Sequence, residues 1–325
     1  MSFPKPPFDP ELAALMAANP GMNDPDLTPE TLPFLRTFFE NINPLETILA
    51  GKSITHEQHT VAVPGGEIIL SVFKPVGAKE PTPGIYFIHG GGMAMGNRFA
   101  GLPQIDSWVE KFGATIIAVE YRLAPEHQYP IPLDDSYAGL KWVGEHLTEL
   151  GIDGSRLMTA GHSAGGNLAL AVALRARDEN GPKICGQLLL CPMLDHRNES
   201  ISVKQFFTEG SWTGKINEVA WNMYLGDHGK GEGAKVDILA SPGLAEVADL
   251  VGLPATFIDV GSAEPFRDED IALAGKLSQA GVSTELHVWP GAFHGFDSYF
   301  LDAALSKRSA AARTGWAGSI LSKKE

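Results

Sequence analysis

A serine in the run Gly161-His162-Ser163-Ala164-Gly165 carries the sharpest chemical signal in this chain. The run lies between an apolar stretch, Arg156 to Ala160, and a helix-like stretch, Asn167 to Arg177, and so reads as strand, tight turn and helix. A turn of that kind lifts a hydroxyl to the end of a sheet, where a histidine can take its proton. Residues with almost no side chain are needed beside so sharp a bend, which accounts for the flanking glycines. The pattern alone fits equally well a serine that caps an ordinary helix. Four other segments bear on the choice.

The first is His89-Gly90-Gly91-Gly92, directly after the apolar run Gly84 to Ile88. Consecutive glycines leave backbone N–H groups bare and able to approach a ligand closely. An acyl-transfer intermediate needs such donors aimed at its negative oxygen, and losing one costs about 10²–10³ in rate. The N–H groups of Gly91 and Gly92, with that of Ala164, are therefore assigned to an oxyanion hole. The glycine signatures of phosphate cradles are absent.

The second is Tyr121-Arg122-Leu123-Ala124-Pro125-Glu126, after the strand-like run Ala114 to Val119. Taken in order, His-Gly-Gly-Gly, Tyr-Arg-Leu-Ala-Pro-Glu and Gly-His-Ser-Ala-Gly-Gly-Asn resemble the hormone-sensitive-lipase-like family of α/β-hydrolase esterases, which includes arylacetamide deacetylase-like enzymes. The resemblance runs from about residue 57 to 300. It implies that the first motif supplies the oxyanion hole and that the Tyr-Arg segment braces the loop behind it. Residues Arg122 and Glu126 read as members of a structural ionic network.

The third segment should hold a carboxylate. The strand-like run Thr256 to Val260 is followed by Gly261-Ser262-Ala263-Glu264-Pro265-Phe266-Arg267-Asp268-Glu269. The resembling family usually has aspartate before that proline, and here Glu264 stands in its place; the fold accepts either acid. The rival is Asp268, though its position before the helical run Ile271 to Ala280 suits a helix N-terminus. Asp259 lies inside the strand, too early to reach the top of the sheet. The fourth segment carries His294, on the loop after the strand-like run Thr284 to Trp289. The order Ser163, Glu264, His294 is the one expected of α/β-hydrolases. His287, inside that strand, reads as a packed or surface residue, and His162 as a neighbour without a proton-transfer role.

The chemistry that follows is nucleophilic catalysis. His294 removes the Ser163 proton, Glu264 fixes the imidazole and stabilises its charged form, and water later releases the acid from the acyl-enzyme. No metal and no cofactor are called for. His56-Glu57-Gln58-His59 falls one residue short of the zinc pattern His-Glu-x-x-His and belongs to the first strand. The net charge of −14 argues against nucleic acid and anionic membrane as partners. Only two cysteines, Cys185 and Cys191, bracket one strand too long for a disulfide between them. Reduced thiols, a start without the apolar core of a signal peptide, and no run long enough for a membrane span all suit a cytoplasmic protein.

Positioning these loops requires strands alternating with helices, hence a mostly parallel sheet flanked by helices, the α/β-hydrolase fold. Two strands, Gln58 to Val63 and Glu67 to Lys74, precede the alternation and meet at Pro64-Gly65-Gly66 as a hairpin. Strands are then expected at 84–89, 114–120, 156–161 and 185–191, with helices near 102–112, at 133–150 and at 165–179. Residues 46–194 and 254–325 read as the catalytic core. Residues 195–253 interrupt the alternation and carry Phe206, Phe207, Trp212, Trp221, Met223 and Tyr224, with a glycine-rich loop from Gly226 to Gly233. With residues 1–45, whose helices fall at 11–18 and 29–41 (the second capped by Thr28, with Pro29 first in the helix), this insertion is expected to form a helical cap. Phe38, Phe207, Trp212 and Trp221 are the candidate walls of an apolar substrate pocket. The expected activity is hydrolysis of short-chain or aryl carboxylic esters. The alternatives are an amide or lactone hydrolase with the same triad and, well behind, a non-catalytic small-molecule receptor. By family analogy, a homodimer would pair through the strand at 284–289.

Overall fold

In a computed structural model, which describes residues 3–23, 26–78, 81–228 and 235–322, the strands join into one eight-stranded sheet. They are β1 (Ile54–Val63), β2 (Gly66–Pro75), β3 (Thr82–Ile88), β4 (Thr115–Glu120), β5 (Ile152–His162), β6 (Gly186–Leu190), β7 (Ala255–Gly261) and β8 (Thr284–Trp289). Their order across the sheet is β1-β2-β4-β3-β5-β6-β7-β8. The β1–β2 and β2–β4 pairs are antiparallel and every later pair is parallel.

Burial explains which runs became strands. Every residue of β3 and β6 is buried, as a parallel strand covered on both faces must be. Side chains alternate along β3: Tyr86 and Ile88 enter one core, while Ile85 and Phe87 enter the other. The first core is completed by the helices Ile131–Glu145, Ala164–Asp178 and Arg267–Gln279, and the second by Trp108–Lys111 and Ala304–Leu321. Among the described residues, no helix is long and apolar enough to cross a membrane.

Three expectations about elements need correction. The helix placed at 29–41 spans Leu32–Glu40. Thr28 and Thr31 bond to each other's backbone N–H in a turn that ends before the helix, so Pro33, not Pro29, sits in its first turn. The helix expected near 102–112 is a 3₁₀ turn, Leu102–Gln104, followed by the short helix Trp108–Lys111. The long helix expected at 133–150 ends at Glu145, because His146 leaves helical geometry and bonds through Nδ1 to the Trp142 carbonyl; a second short helix follows at Leu147–Leu150. The hairpin closes at Pro64-Gly65 as expected, with β1 starting four residues earlier than the sequence suggested and β2 one residue longer at each end. The segment 195–253 contains the helices Ile201–Gln205 and Gly214–Leu225, and part of the Gly226–Gly233 loop lies outside the described residues.

Candidate active site

The strands β3, β5, β6, β7 and β8 are consecutive parallel neighbours in the sheet, so the loops after β3, β5, β7 and β8 emerge at the same end of it. At the end of β5, Ser163 holds φ 57° and ψ −119°, a conformation that costs a non-glycine residue about 1–3 kcal/mol. Its side chain makes no capping bond to the helix Ala164–Asp178. The serine is therefore displayed by the turn and does not serve as a cap. The flanking glycines are required by contact: a Cβ on Gly161 would lie 2.0 Å from the Gly165 carbonyl oxygen, and one on Gly165 would lie 2.0 Å from that of Ile88.

Three buried side chains from three loops meet here. Ser163 Oγ lies 2.9 Å from His294 Nε2, and His294 Nδ1 lies 2.6 Å from Glu264 Oε2. A carboxylate can only accept, so Nδ1 carries the proton and Nε2 is left to receive one from the serine. Glu264 is itself held in place, because its Oε1 accepts the Gly261 N–H at 2.7 Å. The ring of Phe266 meets the imidazole edge-on at 4.9 Å, and Ser211 Oγ donates to the His294 carbonyl at 2.5 Å. Asp268 is occupied elsewhere: it accepts the Ser202 N–H at 2.8 Å and the Arg267 Nε–H at 2.8 Å, tying the segment 195–253 to the core.

The glycine loop after β3 abuts the serine, so that a Cβ on Gly90 would lie 3.2 Å from that of Ser163. Gly91 has φ +112°, and a Cβ there would lie 2.1 Å from the Met95 carbonyl oxygen. Tyr121 braces the loop from behind, donating its hydroxyl to the His89 carbonyl at 3.0 Å while its ring stacks on His89 at 4.2 Å. Arg122 and Glu126 do not pair with each other. Arg122 binds Asp135 through two nitrogens, and Glu126 takes both end nitrogens of Arg36. Arg36 was not singled out from the sequence. Its Nε and Nη2 also donate to the carbonyls of Ala94 and Ala124, at 2.8 and 2.7 Å. The helix Leu32–Glu40 is thereby fastened to both loops beside the serine. An arginine set among Leu32, Phe34, Leu35, Phe38 and Phe39 was the available signal.

Ser163 and His294 open into a recess of about 70 Å³. A larger apolar chamber of about 470 Å³ shares Phe39, Trp212 and Tyr299 with it. Of the four candidate wall residues, Trp212 borders both spaces, and half-exposed Phe38 borders only the larger one. The expectation for Phe207 and Trp221 is corrected: they line a separate recess with His196 and Asn222, where Trp221 packs against the His196 ring at 6.1 Å and Phe207 lies against Gly214.

Beneath the site, burial and the nearby His294 hold the His162 imidazole down to about 3, so this ring is neutral and does not act as a base. Asp259, inside β7 as its position implied, accepts from Trp289 Nε1 and contacts buried Arg313, which also binds Asp297.

Comparisons with known proteins agree with this geometry. A family model described as the alpha/beta hydrolase fold matches residues 85–298. Carboxylesterase NlhH of Mycobacterium tuberculosis is 36% identical over 257 residues, covering 75% of this chain and 76% of its own. Among solved structures, a bacterial heroin esterase superposes with a TM-score of 0.88 at 35% identity, over 97% of this chain and 98% of its own. Esterase LipW from Mycobacterium marinum follows at 0.86 and 32% identity, over 98% and 99%.

Proposed function

For a chain that belongs to the hormone-sensitive-lipase-like esterases of the α/β-hydrolase family and is a carboxylic ester hydrolase, we propose that Ser163 is the nucleophile, His294 the general base and Glu264 the acid that orients it. The observation that carries the assignment is the unbroken chain of bonds from Ser163 Oγ through His294 to Glu264, at 2.9 and 2.6 Å. His294 Nε2 takes the serine proton as Oγ attacks the ester carbonyl. The N–H groups of Gly91, Gly92 and Ala164 receive the oxyanion, and the imidazolium returns its proton to the departing alcohol. A water activated by the same nitrogen then releases the acid.

The apolar chamber beside the recess supports short-chain or aryl esters as substrates, with a hydrophobic group extending past Trp212. Residues 1–45 and 195–253 serve as the cap, a reading supported by Phe39 and Trp212 in the walls of both spaces. Two further readings accompany it. A chain with only two cysteines, of which Cys191 is a buried thiol, favours a reducing cytoplasmic compartment, which localisation of the tagged protein tests. The edge position of β8 offers a pairing surface for a homodimer, which a monomer in light scattering would remove.

The deciding experiment is Ser163→Ala assayed on p-nitrophenyl butyrate, with a phosphonate adduct mapped by mass spectrometry. The expected result is a loss of roughly 10⁴–10⁶ in kcat with folding intact, and an adduct on Ser163 only. A variant that keeps most of its activity removes the assignment. An amide or lactone would use the same atoms, so anilide and lactone arms in the same panel define the range.

A further inference from the structure

Three groups that ligate metals stand together under the proposed site: His162, Cys191 and His294. One ligand atom from each lies within 4.8 Å of the other two. Ligands in a tetrahedral zinc site sit about 3.3–3.8 Å apart, from bond lengths near 2.0 Å to nitrogen and 2.3 Å to sulfur.

The groups hold together for reasons of topology. His162 ends β5, Cys191 follows β6, and these strands are paired through His162 and Leu190. Backbone bonds fix that corner: the Ser163 N–H donates to the Leu190 carbonyl and the Cys191 N–H to that of Asp259. His162 and His294 have ring centroids 5.6 Å apart and both border the recess, which gives an ion its route in. His162 Nε2 is enclosed without a hydrogen-bond partner among the described residues. A neutral imidazole whose ring nitrogen has no partner can turn a lone pair to a metal.

We propose that His162, Cys191 and His294 form an inhibitory site for a thiophilic divalent cation such as Zn²⁺, which switches the esterase off by capturing its general base. Two imidazoles and one thiolate are a donor set that zinc prefers over magnesium or calcium. As the Zn–S bond forms, the Cys191 S–H proton leaves to solvent, and nothing is oxidised or reduced. Burial and the nearby carboxylates of Glu264, Asp297, Asp259 and Asp270 keep the metal-free thiol protonated. A bound cation deprotonates a coordinating thiol. Either nitrogen of His294 gives the same outcome. Ligation at Nε2 blocks proton acceptance, and ligation at Nδ1 displaces Glu264.

The proposal rests on His294 being the general base, so the test separates binding from hydrolysis. Zn²⁺ is titrated into the full-length protein during p-nitrophenyl butyrate hydrolysis, each variant being normalised to its own metal-free rate. Wild type should be inhibited, and Cys191→Ala should need about ten- to a hundredfold more Zn²⁺ for half inhibition, the scale on which groups that support a metal site act. Co²⁺ provides a readout independent of activity. Wild type and Ser163→Ala should both show a thiolate-to-cobalt charge-transfer band, and Cys191→Ala should not. If Cys191→Ala does not fold, His162→Gln carries the same expectation of weakened inhibition. Equal Zn²⁺ sensitivity in wild type and the variant, or no thiolate band in wild type, overturns the site. If Ser163→Ala hydrolyses normally yet still shows the band, the nucleophile assignment fails and the metal site stands.

Discussion

Two carboxylates within five residues compete for the role of orienting His294, and their bonds separate them. Glu264 faces Nδ1 at 2.6 Å and is locked by the Gly261 N–H, whereas both oxygens of Asp268 are taken by Ser202 and Arg267. Glu264→Gln preserves shape but presents an amide where a charge is needed, so the imidazole loses its tautomer and the support for its charged form. A fall of about 10⁴ in kcat is expected, with little change in thermal midpoint. Asp268→Asn should stay within about fivefold of wild type in kcat and lose about 1 kcal/mol of stability, the scale of one weakened hydrogen bond. Steady-state kinetics on the two variants decide the matter, and the reverse ranking would exchange the two roles.

At the scale of elements, the helix Leu32–Glu40 matters because of what it grips. Glu126 is 55% exposed on its side chain, so its bond with Arg36 contributes no more than about 1 kcal/mol. Arg36 also satisfies the Ala94 and Ala124 carbonyls, and an unmet buried acceptor costs about 1–3 kcal/mol. Arg36→Gln should therefore destabilise by about 2–3 kcal/mol, against at most about 1 for Glu126→Gln. It should also lower kcat/KM for p-nitrophenyl butyrate by about ten- to a hundredfold, because Ala94 lies on the loop that carries Gly91 and Gly92. Denaturant melts and kinetics on the pair test this, and equal effects would mean that the ion pair, not the carbonyls, holds the helix. Sequence could not show this clamp, since its partners are backbone atoms 58 and 88 residues away. What sequence did make legible was local or periodic: the glycines around Ser163, the buried parallel strands, and loops whose order along the chain brought Ser163, Glu264 and His294 within bonding reach. The aromatics of 195–253 were ambiguous for the opposite reason. A helix packed on most sides has no single apolar face, and composition alone did not separate Trp212, beside the imidazole at 6.1 Å, from Trp221 in another recess.

For the whole molecule, acid response is a contest between buried groups of opposite habit. Burial lowers His89 and lowers His162 to about 3, while it raises Asp259 to about 6 and lifts Glu269 and Asp270 well above the ordinary carboxylate range. The two sets pull in opposite directions with pH. A histidine kept neutral by the fold takes up its proton only on unfolding, so its contribution is present above about pH 6.5 and is lost as pH falls towards 3. A carboxyl kept protonated by the fold contributes below its ordinary value near 4 and loses that contribution as pH rises through its folded value. Between pH 4 and 6.5 the terms partly cancel, so a plain acid melt identifies none of them, and a difference between two proteins is required. Comparing wild type with His162→Gln, which cannot titrate, removes every shared group. The chain unfolded at pH 5 holds a proton on His162 that the folded chain refuses, which costs wild type about 2 kcal/mol relative to pH 8, given an unfolded value near 6.5. The stability gap between wild type and His162→Gln should therefore be about 2 kcal/mol smaller at pH 5 than at pH 8, measured by urea unfolding with EDTA present so that no bound ion contributes. A gap that stays constant or widens on acidification would show that His162 takes up its proton in the folded protein as readily as in the unfolded chain.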